Sequence, residues 1–101
     1  MMNKGIAALF ITKDHIDALM RRVTYVVVQQ PGGTNTTFVH AFLDGKLFLA
    51  TGFCACVEKS HFFADLSERE ARSKAEENAE SKLVELEGYK LFLSQNSDTY
   101  E

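Results

Sequence analysis

The stretch TTFVHAFLDGKLFLATGF, residues 36–53, places an Asp-Gly pair between two runs rich in aromatic and β-branched residues. Such a pair between two strand patterns is a strong signal for an antiparallel hairpin with a two-residue turn. The turn at Asp44 and Gly45 fixes which residues lie opposite each other. The predicted pairs are Phe42 with Leu47, His40 with Leu49, and Phe38 with Thr51.

Both faces of this hairpin are apolar. In the predicted register Phe53 shares the face of Phe38, and the opposite face carries Val39, Ala41, Leu43, Phe48 and Ala50. A small antiparallel sheet with two helices can bury only one of its faces well. The second face must therefore be covered by residues 5–11, by the connection 54–66, or by a second copy of the chain.

The flanking segments complete an α+β fold. Thr12 is a typical N-cap for a first helix whose apolar residues recur at helical spacing, and residues 24–29 form a β-branched run that ends at Pro31. Ser67 and Glu70 form a capping box for a second helix, and Gly88 stands at its expected C′ position. We expect a helix, three antiparallel strands, a helix and a possible short strand at 89–93, giving one domain over 1–93 and a polar tail over 94–101.

The second helix carries a stripe of mostly small residues. These are Ala71, Ala75, Ala79, Leu83 and Leu86. Alanine side chains are small, so two backbones that pack across them can lie close together. We therefore expect this helix to approach the sheet closely. Asn78, one step from Ala79, is costly inside a helix unless its amide has a partner. It is predicted to bind backbone groups of the 54–57 loop, with contact to a ligand as the alternative.

Composition limits the classes of function. The 101 residues include 46% hydrophobic and 25% charged residues with a formal net charge of −3. That mixture is typical of one globular domain and supplies no overall positive field for a polyanion. No apolar run reaches the roughly 20 residues that span a bilayer. The two cysteines, Cys54 and Cys56, are one residue apart, where a disulfide would close almost no loop, so we expect reduced thiols in a cytosolic protein.

The thiols and histidines also have to be weighed as a chemical site. Cys54, Cys56 and His61, with His40, include residue types that bind zinc or form a nucleophile–base pair. A Cys-x-Cys motif without a second ligand pair is weak support for either role. We therefore expect structural thiols, with no catalytic residue, no metal and no cofactor. A small thiol enzyme remains a hypothesis that turnover dependent on one cysteine would support.

The predicted order of elements also resembles the double-stranded-RNA-binding domain. That domain contacts phosphates through basic residues at the start of its last helix, where this chain has Arg69, Arg72 and Lys74 beside Glu68 and Glu70. Shared architecture alone is weak support for shared function. Nucleic-acid binding is therefore kept as the alternative function.

A more specific resemblance covers residues 38–93. Its residues are Thr51-Gly52-Phe53-Cys54-Ala55-Cys56-Val57, an aromatic at Phe62 or Phe63, then Ala75, Asn78-Ala79, Lys82-Leu83 and Leu86-Glu87-Gly88-Tyr89. This pattern resembles a family of small tailed-phage and prophage proteins, in which the position of Cys54 is usually serine whereas Cys56 matches. The resemblance implies a phage gene product in the bacterial host cytoplasm and assigns no biochemical activity.

Together these observations predict a non-enzymatic phage accessory protein that acts as a protein-interaction module. We expect a host or phage protein as its partner and a homodimer formed through the second sheet face. The predicted interaction residues are Val39, Ala41, Phe48, Phe62 and Phe63. The predicted structural residues are Asn78, Gly88 and Cys56.

Overall fold

A computed structural model of the protein describes residues 11–56 and 63–96. Its elements are α1 (Lys13–Met20), β1 (Val23–Gln29), a 3-10 turn (Pro31–Gly33), β2 (Thr36–Leu43), β3 (Leu47–Ala55) and α2 (Ala64–Gln95). The strands form one antiparallel sheet in the order β1-β2-β3. The predicted α+β fold, with the order helix, three strands, helix, is confirmed.

Helix α1 begins as its sequence predicts. The Thr12 hydroxyl accepts a hydrogen bond from the backbone N–H of His15 at 3.1 Å, which satisfies one of the free donors of the first turn. Ile16 and Leu19 are buried and pack with Leu49 and Leu83. The helix therefore closes one end of the core between the sheet and α2.

The hairpin turn forms at the predicted residues, but the predicted register is wrong. Asp44 and Gly45 both have positive φ, at 57° and 70°, and the N–H of Lys46 donates to the carbonyl of Leu43 at 3.1 Å. The first ladder pair after the turn is nevertheless Leu43 with Leu47. The observed pairs are Phe42 with Phe48, His40 with Thr51, and Phe38 with Phe53.

Two one-residue slips explain this difference, the first at the turn, where Lys46 is left out of the ladder, and the second at a β-bulge in β3. The register shifts again between Ala41 and Phe42, so β3 contributes one more residue than β2 at this point. Leu49 thereby turns into the core, where it is almost completely buried beside Ala41. A slip of one residue moves a side chain to the other face, so Phe48 joins Phe42 instead of the face predicted for it. The second slip restores the prediction that Phe53 shares a face with Phe38.

An ion pair holds the turn against the end of α1. The guanidinium Nε of Arg22 donates to Oδ1 of Asp44 at 3.0 Å, a second bond joins Nη2 to Oδ2, and the Asp44 N–H donates to the carbonyl of Arg22. The hydrogen bond from Arg22 lowers the pKa of the Asp44 carboxyl below its ordinary value. Both side chains are half exposed, so the pair orients the turn and adds little stability.

Helix α2 starts earlier and ends later than predicted. It begins at Ala64 with Phe63 as its N-cap, so Ser67 is a buried interior residue and does not cap the helix. It continues to Gln95, so Gly88 is not its C′ residue, and the strand expected at 89–93 is wrong. A single glycine costs a helix only about 1 kcal/mol, and good helix formers follow Gly88. Gly88 lies beside Ile11, whose Cδ1 is 3.7 Å from where a Cβ on Gly88 would stand, an ordinary contact distance.

The predicted close approach of α2 to the sheet is confirmed, and it is centred on Gly52. Ala71, Ala75 and Ala79 are completely buried. A Cβ on Gly52 would lie within 3 Å of the α2 backbone at Ala71, Lys74 and Ala75. Helix α2 therefore packs directly on the backbone of β3, with alanines on one side and a glycine on the other.

Candidate interaction surface

The sheet face that points away from both helices carries five ring side chains. We call Phe38, His40, Phe42, Phe48 and Phe53 the aromatic face. Partner positions in an antiparallel ladder share a face, and the observed pairs place all five on one side. The neighbouring positions of β1 on this side are Thr24, Val26 and Val28.

The rings of the aromatic face form a continuous series across β2 and β3. The distance between ring centres is 6.0 Å for Phe53 and Phe38 and 6.2 Å for Phe38 and His40, which are stacked. It is 6.5 Å for His40 and Phe48 and 5.7 Å for Phe48 and Phe42, which meet edge-on. These separations fall within the range of favourable aromatic pairs. The Nδ1 atom of His40 is 2.7 Å from the Thr51 hydroxyl, which fixes the imidazole in the middle of the series.

The aromatic face is open within the part of the chain that the structure describes. Helices α1 and α2 pack on the opposite face, against Ala41 and Leu49. Phe48 remains 54% exposed and Phe53 53% exposed, although both are large apolar side chains. Val26 on β1 is exposed to a similar extent. Contiguous exposed apolar side chains of this kind are typical of an interaction surface.

The structure separates the residues that were predicted to form the interaction surface. Phe48 belongs to the aromatic face, whereas Val39 and Ala41 are completely buried under the helices and cannot form part of an accessible surface. Phe63 is well exposed but lies at the start of α2, outside the sheet. Phe62 lies outside the described residues. The sequence did contain a signal for the correct face, because the small residues Ala41 and Gly52 match the alanine stripe of α2.

The cysteines lie on the other side of the sheet from His40. Cys54 pairs with Thr37 on the helix-covered face, where it packs with the cluster of Val39, Ala71 and Ala75. Cys54 and Cys56 are half-buried, no disulfide joins them, and they line a shallow cavity of about 220 Å³ with Phe63. His40 therefore cannot act on either thiol. His61 lies outside the described residues, and no group of three or more metal-ligating side chains is found among the residues that are described.

About half of the charged side chains of α2 contact one another or nearby elements. Arg72 pairs with Glu68 at 3.1 Å, and its guanidinium lies 5.2 Å from the centre of the Tyr25 ring. Burial raises the pKa of the Tyr25 hydroxyl above its ordinary value, and the charge of Glu76 acts in the same direction. Lys74 lies over the ring of Phe53 at 5.8 Å, at the border of the aromatic face. Neither described helix is long and apolar enough to cross a membrane.

Asn78 links α2 to the sheet. Its Nδ2 donates to the backbone carbonyl of Thr51 at 3.0 Å. The predicted contact with backbone is thus present, but its partner lies in β3, next to the close approach at Gly52, and not in the 54–57 loop. The bond fixes the position of α2 along the strand.

We expect Asn78→Ala to lower the free energy of unfolding by roughly 0.5 kcal/mol. Loss of the hydrogen bond costs about 1 kcal/mol, and the higher helix propensity of alanine returns about half of this. Ser81→Ala is the matched control, because it gains helix propensity at an exposed site of the same helix. Urea denaturation followed by circular dichroism measures both. Equal stabilisation by the two substitutions would contradict a structural role for the Asn78 amide.

Comparison with known proteins identifies a family. A search of curated proteins and a search of solved structures each found no match. The family described as "Phage protein (N4 Gp49/phage Sf6 gene 66) family" matches residues 11–94, which include α1, the whole sheet and nearly all of α2. The match therefore covers the aromatic face together with the packing behind it, and the chain belongs to this phage protein family.

Proposed function

We propose that this phage protein is a non-enzymatic protein-interaction module that works in the host cytoplasm as a homodimer. The aromatic face is the surface through which two copies pair. The observation that carries the proposal is the row of half-exposed rings on a sheet whose other face is already filled. The assembled module would then bind a host or phage protein.

A second copy suits this face because the face is apolar and carries no charge. The outward-facing residues of the three described strands are valines, threonines, phenylalanines, one histidine and one alanine. A two-fold axis brings the same patch of both copies together, so an apolar patch meets an apolar patch. The net negative charge of the chain, −3, then lies on surfaces that remain in contact with water.

The expected dimer interface is small. Three strands about 4.8 Å apart and seven to nine residues long give a platform of roughly 14 by 25 Å. Pairing two such platforms buries an area at the lower limit of specific interfaces, on the order of 1,000 Å² in total. We therefore expect an equilibrium between monomer and dimer that depends on concentration.

Nucleic-acid binding is the alternative function, and one observation favours it. Exposed aromatic rings on an open antiparallel sheet are also the surface on which single-stranded bases stack. Such platforms are bordered by cations that follow the phosphate backbone, and here Lys74 is the cation seen against the rings. The lack of charge on the face favours a protein surface over a polyanion.

Light scattering of the full chain at micromolar concentration tests the proposal. We expect the average mass to exceed the chain mass of 11.3 kDa and to rise with concentration, and we expect Phe48→Glu to return it to 11.3 kDa because a carboxylate would be buried in the interface. Phe63→Glu is the matched control, since it places the same charge on an exposed phenylalanine outside the sheet. A wild-type mass near 11.3 kDa contradicts the homodimer, and salt-sensitive binding of a labelled oligonucleotide that Phe48→Glu abolishes favours the alternative.

A further inference from the structure

Helix α2 is much longer than the sheet on which it packs. Its 32 residues extend about 48 Å, whereas the longest strand has nine residues and extends about 30 Å. Leu83 is the last fully buried residue of the helix. Residues 84–95 therefore continue for three turns beyond the last position at which α2 is fully buried.

This end of the helix carries apolar side chains that stay partly exposed among the described residues. Leu86, Tyr89 and Leu93 follow each other at i, i+3 and i+7, which puts them on one face; we call them the helix stripe. Tyr89 is 61% exposed and Leu86 39% exposed, with Leu93 at a similar value. The ring of Phe92 stacks beside that of Tyr89 at 6.5 Å and widens the apolar surface.

Helix α1 braces a different side of the same segment. His15 Nε2 lies 2.8 Å from Glu87, and Ile11 reaches Gly88. Glu87 and Gly88 lie between the positions of the helix stripe in sequence and on another side of the helix. Contacts with α1 therefore support this segment from one side, and the helix stripe lies on a different side of the helix.

We infer that the helix stripe is a second self-association surface, on which the α2 ends of two copies lie parallel as a short coiled coil. The spacing i, i+3, i+7 is that of the core positions of such a pair. The charges beside the core positions set the orientation of the helices. Glu85 immediately precedes the helix stripe, and Lys90 lies five residues later.

A parallel arrangement brings Glu85 of one copy next to Lys90 of the other, at both sides of the pair. An antiparallel arrangement brings each of these side chains beside its own kind, which is unfavourable. Both side chains are about three-quarters exposed, and each makes only a surface pair within its own helix, Glu85 with Lys82 and Lys90 with Glu87. The charge pattern is thus complementary to a second copy in the parallel orientation.

The surface is too small to hold two chains together on its own. Four side chains that are each about half exposed contribute on the order of 350 Å² per copy, below the roughly 800 Å² of a standard interface. It becomes effective when copies are already joined through the aromatic face, because linked contacts raise the effective concentration. Two different two-fold contacts produce a closed tetramer if their axes meet at a right angle and a filament if the axes do not meet.

Light scattering over a range of concentrations tests the inference in the 101-residue chain. We expect the mass to rise above 22.6 kDa, twice the chain mass of 11.3 kDa, and we expect Tyr89→Glu to stop it at that dimer. Glu77→Lys, a charge change on an exposed part of α2 outside the helix stripe, should leave the wild-type behaviour unchanged. A Tyr89→Glu mass curve equal to that of the wild type overturns the inference.

Charge reversal then tests the partner and its orientation. Glu85→Lys and Lys90→Glu should each lower the mass at a given concentration, and the double variant should restore it, since it exchanges the two charges of a parallel pair. Single reversals without effect, or effects that add in the double variant, overturn the parallel pairing. The two self-association surfaces can be contradicted separately. If only Phe48→Glu lowers the mass, the aromatic face is supported and the helix stripe is not. If only Tyr89→Glu lowers the mass, the helix stripe is supported and the aromatic face is not.

Discussion

Gly52→Ala is expected to destabilise the domain by more than about 3 kcal/mol, although it adds a single methyl group. The new Cβ would lie within 3 Å of the backbone of Ala71, Lys74 and Ala75, where side-chain rotation cannot relieve the clash. Helix α2 would have to move away from β3 and lose the contacts of its buried alanines. Overpacking of a well-filled core commonly costs about 1–3 kcal/mol and occasionally more, and a clash with backbone atoms, which cannot rotate away, belongs to the larger cases.

Urea denaturation of Gly52→Ala beside Gly33→Ala separates this steric effect from a backbone effect. Gly33 has a φ of 78° and nothing within 4 Å of an added Cβ, so its substitution costs only the penalty of the left-handed conformation, about 1–2 kcal/mol. Gly52 does not need positive φ, so its cost arises from contact alone. A Gly52→Ala protein as stable as Gly33→Ala would show that α2 does not rest on β3 at this point.

The alanine stripe and the glycine strand show how much of the packing the sequence could predict. Helical spacing placed Ala71, Ala75 and Ala79 toward the sheet, and that prediction is confirmed because it depends only on the period of the helix. The partner of the stripe was harder to identify. Which face of β3 it meets depends on the register of the hairpin, and the register depends on the bulge that buries Leu49.

The aromatic face was missed for the same reason. Asp44 and Gly45 specify the turn, but Phe48 faces away from the helices because one residue is left out of the ladder at each of two places, after the turn and at Leu49. A bulge has no reliable sequence signal, since it forms where burial of Leu49 outweighs the lost ladder bond. The ends of α2 were misplaced because its capping signals at Ser67 and Gly88 are local, whereas tertiary contacts decide how far the helix extends.

Leu83→Ala is expected to lower the free energy of unfolding by about 2–5 kcal/mol. Leu83 is 2% exposed and packs with Ile16, Leu19 and Leu49, so its removal leaves a cavity where α1, α2 and the sheet meet. For a domain whose total stability is of the order of 5–15 kcal/mol, this is a large fraction. Thermal and urea denaturation at several protein concentrations measure the loss, which should be the same at each concentration.

Leu86→Ala, one turn further along α2, should behave differently. Leu86 is 39% exposed and belongs to the part of α2 that extends past the core, so within one chain its truncation should cost less than about 1 kcal/mol. If the helix stripe pairs between copies, the cost must grow with protein concentration, because binding stabilises the folded state by mass action. A cost for Leu86→Ala as large as that for Leu83→Ala at low concentration would instead place the end of the core beyond Leu83. The same side chain, leucine, on the same helix thus distinguishes burial within the chain from burial between chains.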